Sequence, residues 1–247
     1  EKYVNAVLIG TTKHFETLAR KELAQPYGLK ELAKKLKSFI NQKNYETKIM
    51  GVLNANEDSF FQESRFNSFN AQEKIENMIK DGANIIDIGG VSSRPGSISV
   101  NIKEELNRVK PIIDLINEKK LYEQVKFSLD SYQSEVLNYA LNSGFSIVND
   151  ITGLIDDKVA KVASKFDADV IIMHMQNNPQ TMQNNPTYED IILDIDDFFE
   201  QRIIKAKEFG IKNIILDVGI GFGKTLEHNL SLLKNLEHFK HFGCELL

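Results

Sequence analysis

Asp130 and Asp217 each close a short apolar run, Phe127-Ser128-Leu129 before the one and Ile214-Ile215-Leu216 before the other. A carboxylate at the end of a buried strand is costly unless a ligand or metal uses it, and no lysine or arginine adjoins either one. Either alone reads as the cap of a following helix. Asn149 closes a third run, Ile147-Val148. Two carboxylates and an amide converging on one mouth present acceptors that could read a heterocycle carrying amino and ring N–H donors. Asn54, after Met50-Gly51-Val52-Leu53, offers a carboxamide oxygen. That is a hard ligand suited to Mg²⁺ when a substrate's phosphates and waters fill the other positions, although a lone loop Asn is usually a turn residue.

Two glycine-rich stretches follow such runs. Gly89-Gly90-Val91-Ser92-Ser93-Arg94-Pro95-Gly96 reads equally as an anion cradle, with Arg94 and the hydroxyls adding donors, or as a turn with a surface arginine. Gly219-Ile220-Gly221-Phe222-Gly223-Lys224-Thr225 has only three residues between Gly219 and Gly223, short of the spacing of a nucleotide triphosphatase loop. Its glycines suit a flat ring lying against the backbone, with Thr225 capping the next helix. His174 leaves a fifth run with no local carboxylate to orient it, so a hydrogen-bonded structural imidazole is the expectation. No Cys/His cluster has metal spacing, and the single cysteine, Cys244, can form no internal disulfide.

The elements that would position these residues are legible from Ile49 onward. Strands are expected at Ile49–Leu53, Ile85–Ile88, Val125–Leu129, Ser146–Val148, Val170–Met173, Ile214–Leu216 and Cys244–Leu247, as continuous apolar runs buried on both faces. Between them Ile75, Met78 and Ile79 share a helical face, as do Leu106, Val109 and Ile113, and Leu226, Leu230 and Leu233. Gly82, Gly144 and Gly210 stand where C-terminal caps belong. Repeated βα units mean a parallel sheet. An open sheet concentrates its site at one switch point, whereas here polar residues end nearly every strand, so the expectation is a TIM (β/α)8 barrel. Seven strands are visible in residues 49–247, so the barrel is expected to be incomplete at the C-terminus as given. Residues 1–48, with Leu29, Leu32, Leu36, Phe39 and Ile40 at helical spacing, form an amphipathic helical extension.

Composition bounds the partners. The 247 residues are 42% hydrophobic and 26% charged, enough for a buried core. Net charge is −5, although residues 20–48 carry eight basic and three acidic residues. That balance argues against a nucleic-acid partner. No apolar run approaches the roughly 20 residues of a membrane span. A reducing cytoplasm suits the lone cysteine.

These motifs, in this order, resemble the dihydropteroate synthases of the pterin-binding TIM-barrel family. The resemblance is carried by Met50-Gly51-Val52-Leu53-Asn54, Ile85-Ile86-Asp87-Ile88-Gly89-Gly90 with Arg94-Pro95-Gly96, and Ser128-Leu129-Asp130-Ser131. Ile147-Val148-Asn149-Asp150, His174-Met175-Gln176, and Asp217 with Gly221-Phe222-Gly223-Lys224 continue it. It implies condensation of 6-hydroxymethyl-7,8-dihydropterin diphosphate with 4-aminobenzoate, by a cytoplasmic homodimer using Mg²⁺. It further implies that Asn54 contacts the Mg²⁺ and Ser93 the diphosphate. Asp130, Asn149 and Asp217 would bind the pterin, Met173, Gly221 and Phe222 would shape its pocket, and Arg94 would lie in a closing loop. Asp130 is the anion expected to face positive charge on the pterin methylene, so Asp130 and Arg94 carry the catalytic roles. The chain departs from the family pattern in Ala55-Asn56 of the first loop, in Ser93 and Ser131 for threonine, and in Val218 for proline. The family's Ser-Arg-Lys-Ser and Arg-x-His motifs are expected beyond Leu247. A methyltetrahydrofolate-type methyltransferase would share the carboxylates but have no use for Asn54 or the Arg94 loop. A non-catalytic pterin-binding relative would tolerate the altered first loop.

Overall fold

The computed structural model describes residues 47–55, 71–91, 100–177 and 180–247. The extension expected at residues 1–48 lies outside the described residues but for its last two, as do Ser93 and Arg94. Two compact units are distinguished. Among the described residues, one comprises residues 47–234 and Glu245–Leu247, and the other includes Asn235–Cys244.

The larger unit alternates strand and helix. Its strands are β1 (Met50–Asn54), β2 (Ile85–Gly89), β3 (Lys126–Asp130), β4 (Ile147–Asp150), β5 (Asp169–Met173), β6 (Ile214–Asp217) and β7 (Glu245–Leu246). Its helices are α1 (Ala71–Lys80), α2 (Ile102–Glu118), α3 (Ser134–Asn142), α4 (Asp157–Lys165), α5 (Ile191–Glu208) and α6 (Leu226–Lys234). The sheet is wholly parallel and its spatial order is the chain order, β1 through β7. Sequential order without a switch point is the order of a barrel wall and not of a doubly wound sheet.

Burial on both faces explains the continuous apolar runs. Ile86, Ile88, Phe127, Val148, Ile172 and Leu216 point to the helical side and are fully buried. On the other side Ile85, Ile147 and Ile171 pack together, with Met50 and Ile215 against them. Side chains from β1, β2, β4, β5 and β6 meet only if the sheet curls, and this aliphatic layer is the plug of the curled interior. Toward the strands' N-terminal ends the interior turns ionic, with Lys126 paired to Asp169 at 2.9 Å and Lys48 to Glu245 at 2.8 Å. Toward the C-terminal ends it turns polar, and there the candidate site lies.

Several strands run further than the apolar pattern suggests. β1, β2, β3 and β6 each gain one residue at the C-terminal end, and β4 gains two, so Asn54, Asp130, Asn149 and Asp217 are ladder members and not loop residues. The backbone pairs regardless of side chain, whereas an apolar pattern registers only burial. The expected caps are present. Gly82, Gly144 and Gly210 have φ of 96°, 100° and 81°, left-handed backbone that terminates α1, α3 and α5. On α6, Leu226, Leu230 and Leu233 do share a face, but that face is exposed and Leu232 is the residue that turns inward.

Candidate functional site

Register assembles the mouth. Asn54 pairs with Gly89, Gly89 with Asp130 and Asp130 with Asn149, one row across four strands. Met173 pairs with Asp217 in a second row on β5 and β6. Gly89 is the gap in the first row. A Cβ there would lie 2.9 Å from Asn54 Oδ1 and 3.7 Å from Asp130 Oδ2. Its missing side chain leaves a small space between a carboxamide oxygen and a carboxylate oxygen.

The mouth is strongly acidic. Burial raises the Asp130 pKa well above the usual carboxylate range, and the charges of Asp87, Glu105 and Asp150 push it further. Asp87, one layer deeper on β2, is pushed up to about 6 by burial, with Ser128 and Asn149 partly offsetting it. Its Oδ2 accepts from Asn149 Nδ2 at 3.2 Å, and its Oδ1 finds no donor among the described residues. Glu105, in the first turn of α2, is raised chiefly by burial, and its Oε1 is likewise without a donor among those residues. Asp150 has another task. Its Oδ1 takes the Thr152 amide at 2.8 Å and hydroxyl at 2.7 Å, and its Oδ2 takes the Leu154 amide at 3.0 Å. It therefore shapes the turn after β4.

Asp217 closes the other side of the mouth. Its Oδ1 accepts from Gly219 N at 2.8 Å. Burial raises its pKa, which the Gly219 bond and the charge of Lys224 counter. Here a sequence expectation is corrected, because Asp217 does have a cation nearby. Lys224 folds inward with 4% exposure and donates to Phe222 O at 2.9 Å. The local pattern assigns Lys224 no role of its own, the glycines before it being read as a seat for a flat ring. Burial pulls its pKa down to about 7, which the charge of Asp217 opposes. His174 is 6% exposed and packs edge-on against Phe198 at 4.9 Å. Burial, then Lys224, depresses its pKa to about 3, so it is neutral and structural. Gly221 is exposed and Phe222 half-buried on the loop between Asp217 and α6. Gln183 Nε2 donates to Gly221 O at 2.6 Å and Tyr188 Oη to Gly223 O at 2.7 Å. Thr225 caps α6 as expected, its Oγ1 accepting from His228 N at 3.2 Å.

The structure thus brings Asn54, Asp130 and Asn149 into one row and Met173, Asp217, Gly221 and Phe222 around a second. Asp87 and Lys224, members of the sequence motifs without assigned roles, and Glu105 are additions, each a buried polar group. A curled parallel sheet that gathers carboxyls and carboxamides at its C-terminal edge defines an α/β protein built to hold a small polar ligand. Residues 50–247 match the family of pterin binding enzymes, and the chain belongs to that family.

Its relatives are consistent on this point. The chain is 40% identical over 248 residues to a bifunctional dihydropteroate synthase/dihydropteroate reductase of Helicobacter pylori, covering 100% of this chain and 65% of that protein. It is 40% identical over 202 residues to the dihydropteroate synthase of Escherichia coli, covering 81% and 71%. A crystal structure of Thermus thermophilus dihydropteroate synthase in complex with 4-aminobenzoate superposes with a TM-score of 0.72 at 32% identity, covering 81% of this chain and 72% of that one. The Yersinia pestis synthase, crystallised with a sulfonamide drug complex, gives 0.76 at 36% identity, covering 81% and 72%. The chain therefore spans about two thirds of the Helicobacter relative's length and seven tenths of the others.

Proposed function

We propose that this chain is a dihydropteroate synthase, condensing 6-hydroxymethyl-7,8-dihydropterin diphosphate with 4-aminobenzoate. The observation that carries the reading is the register row Asp130–Asn149, with the pair Met173–Asp217 at the same C-terminal edge of a sheet that matches the pterin binding enzymes. Carboxylate and carboxamide oxygens suit the amino and ring N–H groups of a pterin. The names of the relatives favour the synthase over a methyltransferase or a non-catalytic binder.

The electrostatics fit the chemistry. In the condensation the amine nitrogen of 4-aminobenzoate bonds to the pterin methylene. The methylene's bond to oxygen breaks, and pyrophosphate leaves with the electron pair. The amine then releases its proton to water. Positive charge develops at the methylene as the diphosphate departs. Burial and the charges of Asp87, Glu105 and Asp150 crowd Asp130 and favour its protonated form before substrate arrives. A cationic centre relieves that crowding, which makes stabilisation stronger in the transition state than in the ground state.

Asn54 suits Mg²⁺. Its half-buried carboxamide oxygen borders the space that a Gly89 Cβ would fill, and a hard oxygen ligand beside substrate phosphates is what Mg²⁺ accepts. The ion would neutralise charge on the diphosphate. Ser93 and Arg94 are assigned to the diphosphate and the closing loop on family resemblance alone. The same reading takes the protein as a cytoplasmic homodimer. The curled parallel sheet is read as the wall of a (β/α)8 barrel.

The test is product formation. Purified full-length protein with Mg²⁺, the pterin diphosphate and 4-aminobenzoate should release pyrophosphate and dihydropteroate in equal amounts. Pterin bound without product under saturating substrates would favour the non-catalytic relative.

A further inference from the structure

We infer that Lys224 is a positioning residue for the pterin pocket, clamping the Asp217–Phe222 loop to the end of β5 through His174, an inference that rests on the pterin reading above. The ammonium has three protons and three acceptors. It donates to His174 O at 3.2 Å and to Phe222 O at 2.9 Å, and it lies 3.1 Å from His174 Nδ1. In its ammonium form Nζ only donates, which assigns Nδ1 as the bare nitrogen and the hydrogen to Nε2. With all three protons used inside the protein, none is left for a phosphate. The glycine-rich stretch before it serves close packing against the end of β5.

Three further observations tie the clamp to the site. His174 N donates to Asp217 O at 2.9 Å, so the ends of β5 and β6 are already joined where the lysine binds. Gly219 lies so close that a Cβ would come within 2.0 Å of His174 O and 3.3 Å of Lys224 Nζ. At Gly223 a Cβ would meet Gln176 N at 3.1 Å, so the loop presses on β5's exit at both ends. Asp217, meanwhile, spends Oδ1 on Gly219 N, which fixes how its second oxygen faces the mouth. Removing the ammonium would leave two buried carbonyls and a ring nitrogen unpaired, and the loop carrying Gly221 and Phe222 would shift to find water.

The test uses the full-length protein, titrated calorimetrically with the pterin diphosphate, together with ¹⁵N NMR of the His174 ring. Lys224→Met should raise Kd about tenfold at undiminished binding stoichiometry, and should shift His174 Nδ1 away from a hydrogen-bonded acceptor. His174→Asn, whose carboxamide oxygen can replace Nδ1, should hold Kd within about threefold, whereas His174→Leu should match the lysine variant. The histidine pair keeps the inference testable if Lys224→Met does not fold. Unchanged Kd with reduced stoichiometry or melting temperature alone would overturn it, leaving Lys224 as a stabilising residue only. So would equal affinities for the two histidine variants. A wild-type protein that fails to bind the pterin diphosphate would instead sink the functional reading, and this inference with it.

Discussion

Asn149 on β4 donates its carboxamide Nδ2 to Asp87 Oδ2 on β2 at 3.2 Å, reaching across β3 inside the curled sheet. The bond passes over Ser128, the residue paired with Asp87 in the intervening strand, and a larger side chain there would block it. Because an ionised carboxylate only accepts, Asp87 dictates which way the amide turns. Nδ2 points into the interior and Oδ1 is left for the mouth.

Asp87 should therefore shape stability against pH. Its pKa is raised from 3.8 to about 6 by burial, so the folded protein holds a proton that the unfolded chain has lost. Its contribution to stability is present below pH 3.8 and is lost as pH rises through 6, on the order of 1–3 kcal/mol. Asp87→Asn can still accept from Asn149 and carries no charge. Chemical denaturation at pH 5 and pH 8 should show the variant gaining on wild type at the higher pH. Parallel profiles would show that Asp87 is not the group titrating.

His174 acts at the acid end with the opposite sign. The unfolded imidazole takes a proton below 6.5, while the buried ring resists until about 3. Stability is therefore lost as pH falls through that window, by at most about 1.4 kcal/mol per pH unit. His174→Asn should flatten this limb in urea melts from pH 7 to 4. An identical slope in both proteins would place the loss elsewhere.

Replacing Asp217 with Asn preserves volume and the bond from Gly219 N, but turns an amide donor toward the pterin's own donors. Leaving such groups unpaired costs about 1–3 kcal/mol, so pterin affinity should fall about tenfold or more. Calorimetry decides it, and unchanged affinity would remove Asp217 from the site.

Gly219 and Gly210 offer a matched contrast. Both have positive φ, 67° and 81°. A Cβ at Gly210 meets only Ser164 Oγ at 3.5 Å, whereas one at Gly219 collides with backbone at 2.0 Å. Gly210→Ala should cost about 1–2 kcal/mol of backbone strain, and Gly219→Ala at least about 3 kcal/mol. Equal unfolding midpoints for the two variants would contradict the packing described at Lys224.

Asn54→Ala should leave the fold intact and raise the Mg²⁺ concentration for half-maximal turnover about tenfold. Titrating Mg²⁺ at saturating substrates measures this directly. A change in pterin affinity without metal, and none in the Mg²⁺ dependence, would assign Asn54 to the ring instead.

Much of this protein is written in local sequence. Seven strands, their parallel order and the glycine caps follow from runs such as Val170-Ile171-Ile172 and from Gly82, Gly144 and Gly210, because burial on both faces and left-handed backbone each demand particular residue types. Asn54, Asp130, Asn149 and Asp217 were legible as chemistry because a polar group ending an apolar strand is a local anomaly. Whether they formed one row was not legible, since register is a property of pairs of strands. Asp87 stood within the expected strand Ile85–Ile88 as a motif member with no role of its own, and only curling turned it toward Asn149. The partners of Lys224 were not legible, because its three acceptors come from residues 174 and 222 and the fifty-residue separation from His174 is closed only by the pairing of β5 with β6. Local chemistry selects which groups are expensive to bury. Only the tertiary structure decides which of them are buried together.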